Sequence, residues 1–188
     1  IIIISGCTTK NPEESAKHLK AGIENQNKGK LDEAMAEYTR AIESDKSNQT
    51  AWYHRGVLYV TKNDFPKGIE DLSEAISRSP DTARFYDARG YVYITTNEYG
   101  KAMEDYEKAV QKDPKSAIYV NRRGYVYALL KDYTTAVKDY TKAIELNPKY
   151  EDAYSNRGFS YLSLNKFENV VSDFSKAIEL NPNRAVYF

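Results

Sequence analysis

The side chains best able to carry chemistry in this chain come in register. Arg55, Arg89, Arg123 and Arg157 recur every 34 residues, and Asp71, Asp105, Asp139 and Asp173 follow them by 16. Guanidinium and carboxylate at that spacing support two chemistries. A ladder of free arginines would grip an acidic ligand, whereas arginines neutralised by those aspartates would hold helices in register. Because the acid recurs wherever the base does, ion pairing is the expectation. In the first unit Ala21 takes the place of the base while Glu37 keeps the acid.

Other reactive groups are sparse. Cys7 is the single thiol, so no internal disulfide forms, and His18 and His54 are the two imidazoles. One Cys and two His do not supply a metal-ligand set. The histidines fall at different positions of the 34-residue pattern. His54, beside charged Arg55, is expected to be an exposed helix residue without a general-base role. Glu13 and Glu14 belong to a helix start, with Asn11 as the cap and Pro12 in the first turn, where acids suit the helix dipole. No glycine-rich phosphate loop is present, since the regular glycines fall inside helical patterns. No catalytic, cofactor-binding or metal-binding residue is expected, and the chain is not read as an enzyme. With 27 basic and 27 acidic side chains, interleaved throughout, nucleic acid is not an expected partner.

The elements that would position these groups are helical. Gly22, Gly56, Gly90, Gly124 and Gly158 are spaced by 34, with Tyr59, Tyr93, Tyr127 and Tyr161 three residues after the last four. A large apolar residue follows each glycine by 16 (Tyr38, Leu72, Tyr106, Tyr140, Phe174) and an alanine by 19 (Ala41, Ala75, Ala109, Ala143, Ala177). Within the second unit, Trp52, Gly56 and Tyr59 share one face of a first helix. Asn63-Asp64 breaks it, and Ile69, Leu72 and Ile76 mark a second helix that Ser79-Pro80 ends. Glycine inside a helix costs about 1 kcal/mol relative to alanine, so something must compensate. The expected compensation is close crossing of the two helices of a hairpin, with the small alanines matching on the second helix.

Trp52, Gly56, Tyr59, Gly68, Leu72, Ala75 and Pro80 closely resemble the tetratricopeptide repeat signature, at the period of that family. The resemblance implies an all-α fold, a right-handed α-solenoid of five helix-turn-helix units at 15–48, 49–82, 83–116, 117–150 and 151–184. The first unit departs most, with His18, Asn25 and Lys46 where an aromatic residue, Tyr and Pro are expected, as suits a terminal repeat. The resemblance also implies a protein or peptide partner held in a concave groove. Its lining positions fall three before, one after and four after each glycine. The groove residues so expected are Tyr53, Val57, Asp87, Tyr91, Asn121, Tyr125, Ser155 and Phe159, with Val60, Ile94, Ala128 and Leu162 beyond them. Chaperone-binding members hold a terminal carboxylate with Lys and Asn at the first two positions; no such pair stands here. An aromatic, apolar stripe takes its place, and it either packs between hairpins or receives a ligand.

Residues 1–14 lie outside the repeat. Ile4-Ser5-Gly6-Cys7 resembles the lipobox of bacterial lipoproteins, and 1–14 is read as a signal-peptide remnant with a short tether. That resemblance implies lipid on Cys7, hence a membrane partner and a lipid-anchored place in the bacterial cell envelope, at the outer membrane or periplasmic face. Thr8 after Cys7 favours the outer membrane. The alternatives are a cytoplasmic scaffold, or the non-catalytic accessory region of a larger enzyme extending beyond Phe188. Residues 185–188 read as the start of a truncated further helix, and an uncapped fifth repeat would self-associate.

Overall fold

The computed structural model describes residues 10–182. Cys7 and its apolar leader, and the run at 185–188, lie outside the described residues. Among those described there are ten helices and no strand. They are α1 (Pro12–Asn27), α2 (Leu31–Ser44), α3 (Gln49–Thr61), α4 (Phe65–Arg78), α5 (Ala83–Thr95), α6 (Tyr99–Lys112), α7 (Ala117–Leu129), α8 (Tyr133–Leu146), α9 (Glu151–Ser163) and α10 (Phe167–Leu180). The chain divides into two compact units between Val92 and Tyr93, within α5. None of the described helices is long and apolar enough to cross a membrane.

Local signals account for the boundaries. Asn11 Oδ1 accepts from the Glu14 N–H at 3.1 Å, and Pro12 opens α1. Asn48, Asp64, Ser116 and Asp132 likewise cap α3, α4, α7 and α8 with side-chain oxygens, satisfying N–H groups that have no intrahelical acceptor. Between the helices of a hairpin the chain turns through one left-handed residue: Asn63, Asn97 and Asn165, with φ of 61°, 61° and 56°. Asparagine tolerates that conformation through its short polar side chain. Lys131 occupies the same position at φ 64°, without that advantage.

Each unit has cores that one hairpin alone could not close. In the first, Ala34 and Tyr38 of α2 pack with Leu58 of α3, and Leu19, Ile23 and Met35 seal the cluster. In the second, Val120 of α7, Ala143 of α8 and Ala153 of α9 meet, flanked by Val110 and Ile144. Burial therefore depends on the neighbouring hairpin, as repeat architectures require.

The structure revises what faces the glycines. A Cβ on Gly124 would lie 3.0 Å from Tyr140 Cε1, one on Gly158 2.7 Å from Phe174 Cε1, and one on Gly22 2.5 Å from Tyr38 Cε1. The partner is thus the large residue 16 positions on, not the small alanine 19 on. A ring lying against bare backbone fills space that two small residues would have left open.

Candidate protein-interaction face

The arginines are occupied. Arg55 Nε donates to Asp71 Oδ2 at 2.7 Å and Nη2 to Oδ1 at 3.0 Å. Arg123 meets Asp139 at 2.8 and 2.7 Å, and Arg157 meets Asp173 at the same distances. These paired bonds, first among the causes, push the Arg123 and Arg157 guanidinium groups above the ordinary arginine range. A third bond reaches backwards. Arg55 donates to Thr39 Oγ1 (3.3 Å), Arg89 to Ser73 Oγ (2.9 Å) and Arg157 to Thr141 Oγ1 (3.0 Å), each 16 residues earlier. Each of these arginines so staples its helix to the preceding hairpin. Sequence reasoning missed the hydroxyls, although their spacing mirrors that of the aspartates; Glu107 stands at that place before Arg123. In the first repeat, His18 Nδ1 lies 2.6 Å from Glu37 Oε2, so a histidine serves the acid where the arginine is missing. The His18 contact is the first cause holding the Glu37 carboxyl below its ordinary 4.5.

His54 is not an exposed helix residue. Its ring stacks on Tyr38 (centroids 5.3 Å, 21°) and meets Tyr53 edge-on at 5.2 Å. Burial, and then the Arg84 charge, hold its imidazole below the ordinary 6.5. Below pH 6.5 the unfolded chain binds this proton and the folded chain resists it, so the stabilisation is present above 6.5 and lost as pH falls through the lower folded value. Melting curves should therefore show the parent losing stability relative to His54→Phe on acidification below pH 6.5. Parallel pH profiles for the two would refute this.

The eight groove residues separate by burial. In the first unit Tyr53, Val57 and Asp87 are half-buried and Tyr91 is exposed. Tyr53 lies against Phe85 at 5.2 Å, and Arg84 sits over both rings. In the second unit Asn121 and Ser155 are buried, at 5% and 3% exposure. The Asn121 amide is engaged from both ends, donating to Tyr150 Oη (3.4 Å) and accepting from Asn156 Nδ2 (3.2 Å). Asn121 joins α7 to α9 and to Tyr150, and neither buried residue presents a polar group outward. Tyr125 and Phe159, on the first helices α7 and α9, are exposed at 42% and 43%. Ile118 and Leu162 extend the same apolar surface. Between α7, α8 and α9 lies a recess of about 200 Å³ that Tyr125 and Phe159 share with Tyr133 and Tyr140. Tyr133 was not anticipated, because it belongs to a second helix and the groove reading followed first helices alone. No cluster of metal-binding side chains occurs among the described residues.

Paired helices repeating every 34 residues, with ring-on-glycine packing and arginine staples, define a tetratricopeptide architecture, and the chain belongs to the tetratricopeptide repeat family. The TPR repeat model matches residues 27–63, 90–131 and 124–165, and further tetratricopeptide models match 49–82 and 151–184. Among characterised proteins, tetratricopeptide repeat protein 14 of Mus musculus is 41% identical over 64 residues, 34% of this chain and 8% of that protein. The small glutamine-rich tetratricopeptide repeat-containing protein of Dictyostelium discoideum is 38% identical over 60 residues, 32% of this chain and 18% of its own length. This chain thus spans only a small part of those relatives. Among solved structures, MamA superposes with TM-score 0.80 at 23% identity, covering 93% of this chain and 96% of its own. YrrB, a tetratricopeptide protein with an unusual peptide-binding site, gives 0.77 at 22% identity, covering 97% and 96%. At those identities the likeness shows the fold.

Proposed function

We propose that the chain is a non-catalytic protein-interaction module that binds a partner segment across the α7–α9 face of its second unit. The observation that carries this reading is the pair Tyr125 and Phe159, large rings at equivalent positions of successive first helices, exposed while Asn121 and Ser155 of the same helices are buried. Exposed tyrosine and phenylalanine on rigid helices supply contact area at little entropic cost, and aromatic anchors carry much of the energy of interfaces. Family membership and the peptide-binding site of the neighbour YrrB support the reading. Peptides selected from a random library on the full chain should lose at least about tenfold in affinity to a Tyr125→Ser/Phe159→Ser variant that keeps its helical content and melting temperature. Selected peptides that bind the variant as well as the parent would overturn the proposal.

The motif Ile4-Ser5-Gly6-Cys7 supports a second element, lipid on Cys7 tethering the module to a bacterial envelope. Expressed in a bacterial host, Cys7→Ser should move the protein from the membrane to the soluble fraction. Equal fractionation of the two would count against lipidation.

A further inference from the structure

The recess beneath that face has a chemistry of its own. We infer that it is an anchor site for one neutral aromatic side chain, phenylalanine or tyrosine, of the bound segment, an inference that rests on the peptide-binding reading above. Its walls are the rings of Tyr125, Tyr133, Tyr140 and Phe159, with Ala128, Asn156, Ser160 and Ser163 completing it. Its volume is about 200 Å³, and an apolar cavity of about 150 Å³ already admits a benzene ring. The room comes from one residue. Four positions after the repeat glycine the other first helices carry Gln26, Val60, Ile94 and Leu162, whereas α7 carries the smaller Ala128.

Charge decides among occupants. None of the lining side chains is ionisable as acid or base near neutral pH, and the Tyr140 phenol is pushed up first by burial and then by Tyr125 and Asp139. A carboxylate entering here would meet no cation among the lining residues and would face the negative ring faces, and an ammonium, though drawn to those faces, would find no carboxylate among the lining residues to offset its lost hydration. The serine and asparagine side chains of the lining already donate within the chain. Ser160 Oγ donates to the Asn156 carbonyl and Ser163 Oγ to the Phe159 carbonyl, both at 3.1 Å, and Asn156 Nδ2 donates to Asn121. A flat apolar ring uses the space without leaving these groups unpaired, and ring-edge contacts with four aromatic walls add to its burial.

The test is an NMR titration of the full chain with N-acetyltyrosinamide, N-acetylphenylalaninamide and N-acetyllysinamide. The aromatic amides should produce saturable shifts at the amides of Tyr125, Ala128 and Ser163, with the lysine amide weaker by at least about tenfold. Ala128→Leu should abolish them by filling the recess. Ser163→Leu, at an exposed position of its rim, should do the same where the first variant compromises folding. Absence of saturable shifts, equal response to the lysine amide, or survival of the shifts in both leucine variants each overturns the inference. If library peptides lose binding to Tyr125→Ser/Phe159→Ser yet the aromatic amides do not bind, the anchor site falls and the interaction face stands. If the amides bind and no library peptide uses the face, the recess is supported and the face is not.

Discussion

Asp71→Ala is expected to lower the unfolding free energy by about 3–5 kcal/mol, the usual cost of removing one partner of a buried ion pair. The Asp71 side chain is 4% exposed and that of Arg55 15%. Alanine would leave a guanidinium out of water with the Thr39 hydroxyl as its one remaining hydrogen-bond partner among the described residues. The expense lies in the abandoned charge more than in the lost attraction, so Arg55→Met/Asp71→Leu should recover most of the stability. A surface pair supplies the contrast. Asp32, 86% exposed, reaches Lys62 from solvent, and Asp32→Ala should cost no more than about 1 kcal/mol. Urea denaturation of the four proteins measures all of this. An Asp71→Ala loss no greater than that of Asp32→Ala would mean that water screens the Arg55 pair.

The repeat made much of this readable, because an interaction written several times shows through the noise of any one copy. The arginine–aspartate spacing therefore foretold the bidentate pairs of α3 with α4, α7 with α8 and α9 with α10. Periodicity was silent on rotation. The residues 16 and 19 after each glycine recur equally well and stand only about 60° apart on one helix face, so only packing decides that Tyr140 and not Ala143 meets Gly124. His54 misled through its neighbour. Arg55 is 100° further round the helix, so its charge said nothing about the face that lays His54 on Tyr38. The recess was hidden for a different reason. It arises where the pattern lapses, at Ala128, and a search for recurrences passes over a lapse.

Gly124→Leu is the second large effect, with an expected loss of about 1–3 kcal/mol or more from overpacking. A first carbon at this position would already sit 3.0 Å from Tyr140 Cε1 and 3.1 Å from Asp139 Cβ, and leucine adds three more. Tyr140 is 1% exposed, and Asp139 is held by Arg123, so neither yields freely. Gly124→Ala separates the contributions. It gains up to about 1 kcal/mol of helix propensity and meets the Tyr140 ring at the edge of tolerance, so its net effect should be small. Gly100, in the first turn of α6, has no neighbour within 4 Å of an added Cβ. There Gly100→Ala should stabilise by about 0.4–1 kcal/mol, reporting backbone entropy without the squeeze. If Gly124→Leu is as stable as the parent, the α7–α8 crossing is looser than its distances state. If it is destabilised but folded, the displaced Tyr140 ring deforms a wall of the aromatic recess, and affinity for N-acetyltyrosinamide should fall with it. Gly100→Ala should leave that affinity unchanged.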